Sequence, residues 1–166
     1  MKLDWLEPDL RPFIEKATDV QMVAIILYGE ARSEPVQGIV AVGSVIRNRV
    51  NTDLHNDKKP DWWGEGYKGV CAQSWQFSCL HPKGGEGNYT RVRDFAERLI
   101  SGQPITAANE RQCIWVAHGI VGNYAIDPTK GSNHYHTATM TPRPTWAKGH
   151  TPAVQVGGHS FYATVK

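Results

Sequence analysis

Glu30 sits at helical spacing on an apolar stripe with Val23, Ile26 and Leu27, inside the run Ile25-Ile26-Leu27-Tyr28-Gly29-Glu30-Ala31-Arg32. A carboxyl placed this way is partly desolvated, which disfavours its charged form and suits a general acid working near neutral pH. The competing role is an ion pair at the helix end with Arg32 or Arg47. Two further acids could share the chemistry. Glu34 lies one turn beyond Glu30 if the helix continues through it, although Pro35 opposes continuation. Asp127 could be a second carboxylate, but Asp127-Pro128 is equally a turn opening. A different chemistry is open to His134, His136, His150 and His159, since imidazoles bind zinc and His134-x-His136 puts two rings on one strand face. No H-E-x-x-H accompanies them, and a zinc enzyme would leave Glu30 without a role. Cys71, Cys79 and Cys113 could in principle act as nucleophiles, yet nothing in their spacing favours this. Cys113 falls in an apolar helical stripe.

The elements that must position these groups are legible in outline. Thr18-Asp19-Val20-Gln21 has capping-box spacing and starts a helix that runs to about Arg32. After Ser33-Glu34-Pro35, a second buried helix carries Val36, Ile39, Val40, Val42, Ile46 and Val50; its Gly38 and Gly43 imply close packing on the first helix. Residues 51 to 88 read mostly as loop, and Trp62, Trp63, Tyr67, Trp75 and Phe77 make it the wall of a cleft. Phe77 is assigned to the core. Helices follow over Tyr89–Ile100 and about Ala107–Ile120. His134 to Thr139 alternates, and Ala153–Val156 joins His159–Tyr162 through Gly157-Gly158, a hairpin signal. The expected fold is therefore α+β, mostly helical with a small C-terminal antiparallel sheet.

The chain of 166 residues fits one compact domain, 1–166. Its net charge is +2 with no Lys/Arg cluster, which argues against nucleic acid. No apolar stretch is long enough for stable membrane insertion, and Met1-Lys2-Leu3-Asp4-Trp5-Leu6-Glu7-Pro8 lacks the plan of a signal peptide. Three cysteines without a C-x-x-C pair indicate free thiols, with a Cys71–Cys79 bridge the alternative.

The ordered motifs Tyr28-Gly29-Glu30-Ala31-Arg32-Ser33-Glu34-Pro35, Val45-Ile46-Arg47-Asn48-Arg49-Val50, Gln76-Phe77-Ser78, residues Asp127 to Tyr135, Trp146 and Gly158-His159-Ser160-Phe161-Tyr162 resemble those of the SleB/CwlJ-type cell wall hydrolases. The resemblance spans roughly residues 18 to 162. It implies a compact lysozyme-like fold acting on peptidoglycan glycan strands, with Glu30 the catalytic glutamate. A monomer without metal or cofactor is expected. The resemblance also implies cleavage between N-acetylmuramic acid and N-acetylglucosamine, by lytic transglycosylation or as a muramidase. Glycoside cleavage needs a proton on the bridging oxygen and usually a second carboxylate. In the lytic version one acid suffices. Gln76, Ser78, Asn133, Tyr135 and Tyr162 are candidates for lining a sugar site, and His134 and His159 for supporting it. Arg32 either orients a neighbouring group or pairs with Glu34. Two departures from the family pattern, Cys79 and His136, point to altered subsites. With no export signal, release through a membrane lesion, as for a phage lysin, is the expected route to the wall. The rival functions are a zinc amidase or peptidase and a non-catalytic glycan-binding module.

Overall fold

A computed structural model describes residues 3–59, 61–163 and 165. Met1 and Lys2, part of the N-terminal segment read for a signal peptide, lie outside the described residues. The architecture is built around one central helix, α2 (Asp19–Ala31), where every residue from Met22 to Tyr28 is buried. Burial on all sides is what an all-round apolar helix requires, so the single stripe inferred from spacing is too narrow a description. The Thr18 capping box forms as expected: its hydroxyl accepts from Gln21 N at 3.3 Å, and Gln21 Oε1 accepts from Thr18 N at 2.9 Å.

A short helix α1 (Arg11–Lys16), which no sequence signal marks, buries Ile14 and packs on the helix over Glu86–Ile100. Helix α3 (Val36–Asn51) follows Pro35, and α4 (Gly66–Cys71) breaks the long loop. Helices α5 (Glu86–Ile100) and α6 (Ala108–Val121) complete the shell around α2; α5 starts three residues before the expected Tyr89. Gly43 is required by α6 rather than by α2, since a Cβ there would meet Ile120 Cγ1 at 2.7 Å. Gly38 makes room for the Glu34 side chain, not for a helix: a Cβ would lie 2.9 Å from it.

The sheet has strand order β1-β3-β2, all antiparallel, with β1 His134–Thr137, β2 Val154–Val156 and β3 His159–Tyr162. Gly157 takes φ +54 in the two-residue β2–β3 turn, the backbone conformation that glycine supplies without steric cost. The three cysteines are free and buried. Among the described residues, no helix is long and apolar enough to cross a membrane.

Candidate active site

α2 ends at Ala31, so Glu30 emerges half-buried from its last turn into a cleft of about 640 Å³. Two walls hold its carboxylate. From the loop side, Cys79 N–H donates to Oε1 at 3.3 Å; from β1, Tyr135 Oη donates to Oε2 at 3.2 Å. Gly29 is what lets the loop approach: a Cβ there would stand 2.5 Å from both Cβ and Sγ of Cys79. Burial and the Glu30 charge push the Tyr135 phenol well above its ordinary pKa, so it remains a hydrogen-bond donor. Tyr135→Phe is expected to lower turnover roughly tenfold by removing one donor to the acid, with the thermal midpoint moving by no more than about 4 °C. Kinetics beside a melting curve check this; wild-type turnover would refute it.

Of the candidates read from sequence, Glu30, Gln76, Ser78, His134, Tyr135 and His159 all line this cleft. The others do not, for physical reasons. Arg32 does not pair with Glu34. Its Nη1 donates to Tyr28 O at 3.0 Å and to Asn88 Oδ1 at 2.5 Å, capping the end of α2. Glu34 is not stacked above Glu30, because the helix stops and Pro35 opens α3. Its Oε2 accepts from Gly158 N at 2.9 Å and its Oε1 lies 3.7 Å from His159 Nδ1, pinning the β2–β3 turn. Asp127 is the turn. It accepts from Thr129 N at 2.7 Å, Gly131 N at 3.0 Å and Asn48 Nδ2 at 3.0 Å. Burial works to raise its pKa, but the hydrogen bonds from Thr129, Asn48 and Gly131 outweigh this and hold it below the usual carboxylate value. Asn133 is buried behind the cleft, its Nδ2 donating to Val165 O at 3.0 Å and its Oδ1 facing His134 Nδ1 at 2.9 Å. Tyr162 is fully buried and sits behind His136, 2.9 Å from Nε2.

Arg49, Asn88, Trp62 and Trp146 also line the cleft. Arg49 was read only as part of a motif, yet it falls seven residues after Val42 on the buried face of α3, the same signal that singled out Glu30. Arg49 is 6% exposed. Nε donates to Asn133 O at 2.8 Å, Nη1 donates to Gln76 Oε1 at 2.5 Å, and the group lies over the rings of Trp63 and Phe77. Desolvation brings its pKa down to about 10, which leaves it charged at neutral pH. Phe77 is core, as expected. Nothing in the sequence marks Asn88, which reaches the site from α5 by donating to Gly29 O at 3.1 Å.

His134 and His136 are committed to hydrogen bonds. His136 Nδ1 lies 2.8 Å from Thr137 O and must carry the proton, so Nε2 accepts from Tyr162 Oη. Among the described residues no group of three or more His, Cys, Asp or Glu side chains converges as metal ligands do. The cysteines are held as thiols: burial pushes Cys113 up to about 12, Cys71 higher still and Cys79 well above the ordinary thiol value. His134, between Trp62 and Trp146, is held down to about 4, first by burial and then by the Arg49 charge. A lowered histidine pKa means that the unfolded chain binds more protons between about pH 6.5 and 4. Stability therefore falls as pH drops through that window. With allowance for solvent in the open cleft, the loss should reach about 2 kcal/mol at pH 4. His134→Gln should flatten that part of the stability profile in urea melts across pH; an unchanged slope would refute the assignment.

A helical shell around a buried helix, with a half-buried glutamate held between a loop and a small sheet at the mouth of a cleft, defines an α+β protein with one built cleft. A family model described as Cell Wall Hydrolase matches residues 33–162, and the chain belongs to that family, the SleB/CwlJ type anticipated from its motifs. The spore cortex-lytic enzyme of Oceanobacillus iheyensis is 54% identical over 39 residues, which cover 24% of this chain and 14% of that protein. The spore cortex-lytic enzyme of Bacillus subtilis is 50% identical over 36 residues, 22% of this chain and 12% of its own length. The chain thus spans only a small part of the curated relatives it matches. Two solved structures share the fold at 24% identity and a TM-score of 0.52: the catalytic domain of Bacillus cereus SleB, covering 87% of this chain and 88% of that one, and the catalytic domain of the germination-specific lytic transglycosylase SleB from Bacillus anthracis, covering 87% and 93%.

Proposed function

We propose that the chain cuts peptidoglycan glycan strands between N-acetylmuramic acid and N-acetylglucosamine as a lytic transglycosylase, with Glu30 serving as acid and then as base. One observation carries the choice of mechanism: among the described residues, Glu30 is the sole carboxylate lining the cleft. Hydrolysis with a second carboxylate needs a partner across the scissile bond, and both sequence candidates, Glu34 and Asp127, are engaged elsewhere. In the lytic route Glu30 gives its proton to the bridging oxygen as the C1–O bond breaks and positive charge grows on the muramic ring. The carboxylate left behind accepts from Cys79 N–H and Tyr135 Oη, then takes the proton of the C6 hydroxyl as O6 closes onto C1. The acid is thereby regenerated, and the product ends in a 1,6-anhydro ring without consuming water.

Spore cortex-lytic enzymes and a lytic transglycosylase among the similar proteins support this reading. The test is liquid chromatography and mass spectrometry of the soluble fragments released from purified sacculi. Anhydro-muramyl ends are expected. Reducing muramic ends would make the protein a muramidase, and free stem peptides would make it an amidase or peptidase.

A further inference from the structure

Trp75 holds a backbone conformation that its side chain does not favour. Its φ is +63, the left-handed region that glycine and asparagine tolerate and a bulky residue adopts only under constraint. The indole is nevertheless 67% exposed, so burial does not explain the strain. What the conformation achieves is a stack. The Trp75 ring lies nearly parallel to the His81 imidazole, with centroids 4.1 Å apart and planes 12° from parallel. His81 is itself 8% exposed and rests on Trp5 at 4.5 Å. One face of the indole is thus backed by the His81 ring, which Trp5 supports from a separate segment, while Trp75 lines the cleft that holds Glu30, Gln76 and Ser78. Strain retained at an exposed aromatic that borders an active site signals a functional constraint.

From this geometry we infer that the Trp75–His81–Trp5 stack is a carbohydrate subsite, in which the free face of Trp75 takes the apolar face of a pyranose ring of the glycan strand. The inference rests on the glycan-strand reading above. It adds a binding residue that makes no hydrogen bond to Glu30, one whose role is affinity rather than proton transfer. The rigid backing matters, because a ring already fixed in position loses little freedom when a sugar packs on it.

The test uses the whole chain carrying Glu30→Gln, so that ligand is not consumed, and peptide-free oligomers of alternating N-acetylglucosamine and N-acetylmuramic acid. Titration calorimetry should give a dissociation constant roughly three- to tenfold weaker for the added Trp75→Asn than for the Trp75 protein, with Trp75→Phe recovering most of the loss. Asparagine tolerates the left-handed backbone, so the melting temperature of Trp75→Asn should not fall. In the protein with Glu30 intact, the same substitution should act on KM and leave kcat alone. Equal dissociation constants, no oligomer binding by the Trp75 protein, or a loss of affinity that tracks a loss of thermal stability would each overturn the subsite. Turnover by the Glu30→Gln protein would instead sink the catalytic assignment, and the affinity difference at Trp75 would still be readable.

Discussion

Glu30→Gln should cost roughly 10²- to 10⁴-fold in the rate of glycan cleavage, the range expected when a positioned general acid is removed. The substitution should leave the fold in place. The Gln amide keeps the carboxylate's shape, Oε1 can still accept from Cys79 N–H, and the Tyr135 hydroxyl can rotate to accept from the new amide nitrogen. Loss of activity with an unchanged circular-dichroism melt is therefore the expected pair of results. Full activity in the mutant would remove Glu30 from the chemistry, and a collapsed melt would recast it as structural.

The second large effect concerns stability. Arg49 is the buried cation that joins α3 to the residue before β1 and to the cleft loop, through Asn133 O and Gln76 Oε1. Arg49→Ala strips two charge-assisted hydrogen bonds and leaves the buried Asn133 carbonyl without this donor. It also removes the stem packed against Trp63 and Phe77. A loss of about 3–5 kcal/mol is expected, or roughly 10–15 °C in the melting temperature for a chain of this size. Arg49→Lys should recover little, because one ammonium cannot span both acceptors while lying flat over two rings. A melt within about 2 °C of the wild type for Arg49→Ala would contradict the role assigned to it.

What sequence made legible follows from where the information is local. The Thr18 capping box, the Pro35 start of α3 and the Gly157-Gly158 turn are set by neighbouring residues, and each formed where expected. Glu30 stood out because a charged residue amid Ile25, Ile26 and Leu27 conflicts with its surroundings. Arg49 carries the same conflict on α3, within the Val45–Val50 motif. The hydrogen-bond partners were not legible, since they are set by tertiary contacts. Glu34 reaches Gly158 and Asp127 reaches Asn48, which no spacing argument anticipates. Asn133 and Tyr162, read as lining the site, stand one layer behind it instead, against His134 and His136. Helix α1 was missed because six residues are too few to show a period.

On the proposed mechanism, Glu30 alone runs a reaction in which no water is consumed. Digesting sacculi in ¹⁸O-labelled water with the wild-type protein and with Glu30→Gln, then reading the glycan ends by mass spectrometry, tests it most directly. New anhydro-muramyl ends free of label are expected from the wild type, and no new ends from the mutant. Labelled reducing ends, or ends that form equally well without Glu30, would contradict it.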